Sequence, residues 1–522
     1  MSTLPAIANV AWTLANVPAY VRFVHALDDP RATQQALLLD YVRRNANTDF
    51  GRRHSFAAID SVTSFQNCVP LNDYESLAAD IDRISTGEPN VLTAEPVTRL
   101  ATSSGSTRAR KLIPYTPLLQ REFNRAIGPW MTDVYWSNPS LAAGCAYWSI
   151  TPVASPPESS RQSPNAPPIS FDEDSAYLGG LRKRLVDAVM AVPADVRYVG
   201  EIDAFRAVTL RHLLRRRDLR LISVWHPSFL ELLLDFAEAR WNDLIADAAR
   251  DDPSRGTELR RVSPGAWNQV WPDLALISCW ADAHAAGPAQ SLRRRMRHVR
   301  LQPKGLLATE AFVTIPFRDA WPLAIRSHFF EFVAEDGSIR LAHELRLGQC
   351  CGVVVTTGGG LSRYRLGDRV EVDGFVGRTP SLRFIGRDDH VVDRFGEKLS
   401  EAFVGSTIRD VLSGAGIAAT FSMLAPDGSR YTLFIQSHDP LPSALTARLD
   451  DALRANPHYD YCRRLGQLQA PAVFPIDGNA YEQYIAALQN GGMRAGDAKP
   501  APLSGRSDWA AHFTRRRGDG EV

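Results

Sequence analysis

The period of hydrophobic and polar positions changes several times along the chain, and each change marks an element. From Thr33 to Asn45 the spacing is helical, with Leu37, Leu38, Leu39 and Tyr41 before the turn-like Asn45-Ala-Asn-Thr. Asn72 or Asp73 is placed to cap a next helix that buries Leu77 and Ile81. The stretch Ala6 to Val24 is apolar but broken by Asn9, Asn16, Pro18 and Arg22, which reads as an amphipathic helix packed on the body rather than a membrane span. Strand-like Val97 to Leu100 follows the loop Thr86-Gly-Glu-Pro-Asn.

Further on, short strands (Arg197 to Gly200, Leu221 to Val224, Leu274 to Cys279) alternate with helical stretches (Ala204 to Leu214, Phe229 to Ala246). That alternation predicts an α/β body. Between them, residues 154–168 are rich in Ser and Pro and form a surface loop or lid. From Phe329 to Phe384 the texture turns hairpin-rich, with Phe329 to Val333, Val353 to Thr357 and Arg369 to Val372 separated by Glu-Asp-Gly, Gly-Gly-Gly and Asp-Gly turns. A compact α+β piece closes the chain: a helix near Ser400 to Ser413, a strand near Arg430 to Gln436 and a helix near Ser443 to Ala455.

A length of 522 residues exceeds one ordinary core, so two or three units are expected. The formal net charge of +1 supplies no global field for nucleic acid, and the runs Arg215-Arg-Arg217, Arg293-Arg-Arg295 and Arg515-Arg-Arg517 read as solvated faces and a tail. The six cysteines include no CxxC pair, which points to reduced thiols in a cytoplasmic protein rather than a zinc site or disulfide framework.

Four stretches can carry chemistry. Ser103-Ser-Gly-Ser-Thr-Arg-Ala-Arg-Lys111 offers four hydroxyls, one glycine and three cations in nine residues, enough to wrap a triphosphate with backbone N–H groups and hydroxyl donors. The same composition suits a solvated turn, and the Walker spacing is absent. In Lys304-Gly-Leu-Leu-Ala-Thr-Glu310, the carboxylate of Glu310 interrupts an apolar run, so it needs a salt bridge or a metal such as Mg²⁺. Tyr364-Arg-Leu-Gly-Asp368 places an aspartate after a glycine, either a turn residue or an acceptor for ribose hydroxyls. Gly386-Arg-Asp-Asp, followed by Gly396-Glu-Lys398, suits a hinge with a cation beyond it.

Taken in order, VPLNDYESLAADIDRISTGE, SSGSTRARKLIPYT, ISVWHPSFLELLLDF, KGLLATEAF, YRLGDRV and FIGRDDHVVDRFGEKLSE resemble the Gretchen Hagen family of acyl-acid amido synthetases, within the adenylate-forming superfamily. The resemblance runs from about residue 30 to residue 505 and includes the closing MRAGDAKPAPLS. It implies a large N-terminal adenylation domain, residues 1–392, with α/β layers and a β-barrel-like part, and a small mobile α+β domain, residues 393–522. It also implies a two-step reaction. ATP and a carboxylic acid give an acyl-adenylate and pyrophosphate, and an amine, usually of an amino acid, then takes the acyl group and releases AMP.

By motif matching, Ser103, Ser104, Gly105, Ser106, Thr107 and Lys111 hold phosphates, and Gly305, Ala308 and Thr309 lie beside the nucleotide. Glu310 meets Mg²⁺, Tyr364 and Asp368 hold the ribose side, Phe384 lies near the base with Arg387 close by, and Lys398 reaches the α-phosphate. Trp130, Val224, Trp225 and His226 fall where similar enzymes line the acyl pocket, although core aromatics and a structural histidine fit the same positions. One departure is Arg108, where the family usually has glycine. Two alternatives stay open: a ligase that passes the adenylate to coenzyme A or a carrier thiol, and a non-catalytic nucleotide-binding homologue.

Overall fold

The computed structural model describes residues 3–103, 111–149, 166–168, 185, 187–387, 391–490 and 500–516. The chain opens with two helices, α1 (Thr3–Asp28) and α2 (Pro30–Asn45). Asp73 caps the helix Tyr74–Ser85 by accepting the Ser76 N–H at 2.9 Å, while Ser76 Oγ accepts the Asp73 N–H at 3.0 Å. Leu77, Ile81 and Ile84 form the buried face of that helix.

Strands β1 (Arg99–Ser103) and β2 (Lys111–Tyr115) make an antiparallel hairpin in which Ser103 pairs with Lys111. The hydroxyl-rich loop is therefore the hairpin connection. Its residues Ser104, Gly105, Ser106, Thr107 and Arg108 lie outside the described residues, as does most of the Ser/Pro-rich stretch.

Four parallel strands follow: β3 (Cys145–Trp148), β4 (Leu219–Ser223), β5 (Leu276–Cys279) and β6 (Arg300–Pro303), side by side in that order. Helices Ile202–Arg215, Pro227–Ala239, Trp241–Asp251 and Ala286–Arg295 lie between them in sequence. β3 and β5 carry near-continuous apolar runs because helices cover the sheet, while β6 at the edge is only partly buried. The expected helix Phe229 to Ala246 is two helices that meet at Arg240. The expected strand Arg197 to Gly200 is instead a 3-10 turn, Ala194–Tyr198, entered from Pro193, with the Arg197 guanidinium over the Tyr198 ring at 4.6 Å.

A five-stranded antiparallel sheet then forms from β7 (Phe329–Ala334), β8 (Ile339–Leu341), β9 (Cys350–Thr356), β10 (Tyr364–Val376) and β11 (Thr379–Arg387), ordered β11-β10-β9-β7-β8. The expected Asp373-Gly374 turn is a register shift inside β10, and the chain reverses at Gly377 instead, with φ of 59°. One hydrophobic core joins this sheet to the N-terminal helices and a second lies around the parallel sheet.

The rest of the chain holds the short pair β12 (Val391–Val392) and β13 (Leu399–Ser400), the helix Glu401–Gly414 and the sheet β14 (Ala419–Asp427), β15 (Arg430–Ser437) and β16 (Ala472–Pro475). A helix Ala480–Asn490 completes this α+β layer, and its Tyr481 and Tyr484 share a cluster with Leu232 of the helix Pro227–Ala239. Among the described residues, no helix is long and apolar enough to cross a membrane.

α1 departs from the amphipathic expectation. It packs Trp12, Tyr20, Phe23 and Leu27 on the body beside the buried Asn9, Thr13 and Asn16, but its outward face is apolar as well, with Leu4, Ile7, Val10, Leu14 and Val21 exposed.

Candidate active site

In a parallel sheet, ligands collect beyond the carboxyl ends of the strands, because loops and helix N-termini converge there. β4 leads into Val224-Trp225-His226, β5 into Trp280-Ala281-Asp282, and β6 into Lys304-Gly305. Backbone bonds extend the sheet into this region: Val224 N–H to Ser278 O at 2.9 Å, Trp280 N–H to Trp225 O at 2.8 Å, and Lys304 N–H to Cys279 O at 2.9 Å. The rings of Trp225 and Trp280 stand 5.6 Å apart, and the Lys304 ammonium lies 4.3 Å from the Trp225 centroid. Two indoles and a cation thus share one strand-end wall.

His226 plays a structural part. Its Nδ1 caps the helix Pro227–Ala239 by accepting the Ser228 N–H at 3.3 Å, and its ring lies 5.7 Å from that of Tyr481. Trp130 is buried in the helix Pro117–Ser137 and donates Nε1–H to Gln302 Oε1 at 3.1 Å, bracing β6. Val224 is fully buried.

After β6 the chain makes a tight hairpin. Gly305 has φ of 78°, and a Cβ there would sit 2.5 Å from Thr314 Oγ1, the atom that accepts the Leu306 N–H at 2.8 Å. Leu307 bridges Phe312 and Ala308 N–H reaches Ala311 O at 3.0 Å, so Thr309 and Glu310 occupy the tip. Glu310 is 7% exposed, yet no hydrogen bond or ion pair from the described residues reaches its carboxylate. A carboxylate at a hairpin tip with no partner among the described residues fits a hard cation that brings its own waters and phosphates. Among the described residues no cluster of three or more His, Cys, Asp or Glu side chains would hold a metal by protein ligands alone.

The hairpin is held from behind. Phe312 N–H donates to His328 Nε2 at 3.2 Å, which leaves the proton on Nδ1, 3.0 Å from Glu122 Oε2. The same oxygen accepts the Gly358 N–H at 2.9 Å, so this fully buried pair joins the hairpin to the glycine turn before β10.

β10 carries the other half. Tyr364 is buried and bridges Asn72. Asp368 follows Gly367 (φ 79°), is 3% exposed, and lies opposite Arg387 of β11, whose Nη1 is 3.2 Å from Asp368 Oδ1. Phe384 is half-buried on β11, with the Asp282 carboxylate near its backbone. Burial pushes Asp282 up to about 6 despite Arg383 and Arg409 nearby. Asp282 thus lies between the strand-end wall and β11. Sequence reasoning overlooked Trp280 and Asp282, although their place directly after the expected strand Leu274 to Cys279 was the signal.

Lys398 is exposed at the β12–β13 hairpin with φ of 45°. Its neighbour Glu397 is fully buried and accepts the N–H groups of Arg394 at 3.1 Å and Phe395 at 2.7 Å, together with the Tyr431 hydroxyl. Lys111 lies at the base of the hydroxyl-rich loop with its ammonium 5.7 Å from the Tyr74 ring centroid. The expected meeting of Ser104, Glu310 and Asp368 involves a residue outside the described set.

Residues 19–299 match the GH3 family N-terminal domain, and residues 321–387 match the GH3 family central domain. The chain belongs to the GH3 family. Similar curated relatives include the indole-3-acetic acid-amido synthetase GH3.4 of Arabidopsis thaliana, 23% identical over 423 residues that cover 72% of this chain and 70% of the relative. The indole-3-acetic acid-amido synthetase GH3.5 of the same plant is 21% identical over 520 residues, with coverage of 85% and 83%. Among solved structures, GH3.15 acyl acid amido synthetase superposes with a TM-score of 0.79 at 17% identity, covering 95% of this chain and 97% of that one. A 2-hydroxyisobutyryl-CoA ligase in the postadenylation state reaches a TM-score of 0.50 at 12% identity, covering 87% and 88%. At such identities these likenesses establish the fold alone, and the two domain matches establish the family.

Proposed function

We propose that this GH3 chain is an ATP-dependent, AMP-forming ligase that adenylates a small carboxylic acid and transfers the acyl group to an amino acid. The observation that carries this reading is the pair of family-domain matches over residues 19–299 and 321–387, which contain Trp225 and Asp368 and flank Glu310.

The reaction needs positioning and charge rather than a protein nucleophile. Asp368 accepts from the ribose hydroxyls, with Arg387 fixing its orientation, and Phe384 flanks the base. Ser103, Ser104, Ser106, Thr107 and Lys111 receive the phosphates, with Arg108 at the glycine position of that loop. Mg²⁺ at Glu310 would neutralise phosphate charge. The Trp225–Trp280 wall with Lys304 suits a flat, apolar acid whose carboxylate faces a cation, which is in keeping with the indole acid in the relatives' names. Lys398, on the turn whose Arg394 and Phe395 N–H groups Glu397 accepts, neutralises negative charge that builds on the α-phosphoryl oxygens as the carboxylate oxygen attacks and pyrophosphate leaves. The amine then attacks the acyl carbon, and AMP departs.

Two units, 1–392 and 393–522, hinged near Asp393, would expose the adenylate to Lys398 first and to the amine second. The six cysteines, none in a disulfide, support a reducing, cytoplasmic setting. AMP release measured with an amino-acid panel and with coenzyme A tests the acceptor. Turnover with amino acids is expected, and turnover with the thiol alone would remove the amide reading.

A further inference from the structure

The outward face of α1 takes no part in the site, and it is apolar where an ordinary surface helix is polar, although the helix already buries Trp12, Tyr20 and Phe23 on its other side. Asn9 Nδ2 donates to Ala142 O at 3.1 Å and Gly144 O at 3.0 Å, and Tyr135 donates its hydroxyl to Asn9 Oδ1 at 2.8 Å. Thr13 Oγ1 donates to Asn9 O at 2.8 Å, and Asn16 Nδ2 to Trp12 O at 2.8 Å. The Asn9 bonds, with Trp12, Tyr20 and Phe23 buried beside them, fix the rotation of the helix. Turning the apolar residues in would strand several buried donors and acceptors, each costing about 1–3 kcal/mol.

The opposite face is left apolar. Leu4 is 62% exposed, Ile7 64%, Val10 50%, Leu14 66% and Val21 43%. With Ala11 and Pro18, the positions 4, 7, 11, 14, 18 and 21 alternate in steps of three and four, the spacing that seats one helix against another. No charged residue lies between Thr3 and Val21. Trp136, 50% exposed, stands edge-on to Tyr20 at 4.7 Å and widens the patch.

We propose that this face is a self-association surface, on which α1 pairs with α1 of a second copy of this chain. The exposed apolar area is on the order of 500 Å² per copy, at the top of the range a monomer leaves open. Two such faces together bury about 1,000 Å², the size at which a specific interface begins. An uncharged seam is complementary to itself under a two-fold axis, as an isologous contact requires. A lipid surface fits less well. Membrane-surface helices line their polar side with Lys and Arg, whereas the opposite side here is packed on the body through Trp12, Tyr20, Phe23 and Asn9. Arg22 and His25 are followed by Asp28 and Asp29, which cancel any pull toward anionic headgroups.

Sedimentation velocity on the full chain from about 0.1 to 100 µM tests this. The wild type is expected to dimerise. Ile7→Glu combined with Leu14→Glu is expected to weaken the dimer at least about 100-fold while leaving pyrophosphate exchange and melting temperature unchanged. A Leu14→Cys variant in a Cys68→Ser background, treated with a short bismaleimide, gives a second reading in which the cross-linked dimer should form. A wild type that stays monomeric throughout, or a double variant that dimerises as tightly as the wild type, overturns the proposal. So does flotation of monomer with neutral or phosphatidylserine vesicles, which would assign the face to lipid.

Discussion

Glu331 and Arg363 form a buried clamp behind the ribose-side strand, and removing one partner has a calculable consequence. Arg363 Nε and Nη2 donate to the two Glu331 oxygens at 2.9 Å each, and the residues are 5% and 1% exposed. Arg363 Nη1 also donates to Gln66 O at 3.1 Å and Val69 O at 2.7 Å, and Gln66 Nε2 donates to Glu331 at 2.8 Å. Arg363 holds φ of 46° and immediately precedes Tyr364, so the clamp sets the entry of β10 and hence the position of Asp368. In Glu331→Ala the guanidinium stays buried without its counter-charge, which costs about 3–5 kcal/mol. At about 2 °C per kcal/mol for a large domain, melting should fall by roughly 6–10 °C. Differential scanning calorimetry measures the shift, and calorimetric titration with ATP should show weaker binding. The double variant Glu331→Leu with Arg363→Met removes both charges and should recover most of the loss. A fall below about 2 °C for Glu331→Ala, or a double variant no better than the single one, would refute the clamp.

Three further outcomes are expected. Lys398→Ala should slow acid-dependent pyrophosphate exchange by about 10²-fold or more with the melting temperature unchanged, and unaltered exchange would remove Lys398 from its role. Asp393→Pro should spare pyrophosphate exchange yet slow amide formation, because Asp393 accepts the Gly396 N–H at 2.7 Å in the turn proposed to rearrange between steps; equal loss of both rates would contradict the hinge. Asp282, lifted to about 6 by burial against an ordinary value near 3.9, binds its proton more tightly folded than unfolded. Its stabilising contribution is therefore complete below about pH 4 and is lost as pH rises through about 6. Asp282→Asn should melt closer to the wild type at pH 5 and comparatively higher at pH 8, and parallel pH profiles would contradict this assignment.

What could be read from the sequence follows the reach of the forces involved. The Asp73 cap and the Leu77–Ile81 face were legible because cap and face lie within a few residues of each other. Two strands of the parallel sheet, Leu219–Ser223 and Leu276–Cys279, were legible from their apolar runs, while Cys145–Trp148 and Arg300–Pro303 were not, and Arg197 to Gly200 mimicked one, since alternation over four residues cannot distinguish a strand from a turn entered through Pro193. α1 was legible as a helix but not in its facing, because the partners of Asn9 are Ala142 and Gly144, 133 and 135 positions away. Glu310 stood out as a carboxylate in an apolar run. Its support by His328 and Glu122 did not, since that contact spans 206 residues. His226 illustrates the converse: the residue type suggested chemistry, while the local geometry makes it a helix cap.

The central claim is that this chain activates a carboxylic acid as an acyl-adenylate. Exchange of labelled pyrophosphate into ATP, screened over flat aromatic and aliphatic acids with Mg²⁺ present, tests it most directly. The account predicts exchange that depends strictly on the added acid, is strongest for a flat aromatic one, and is lost in Asp368→Ala. A chain that binds ATP but exchanges no pyrophosphate with any acid, or that releases ADP and phosphate instead, would contradict it.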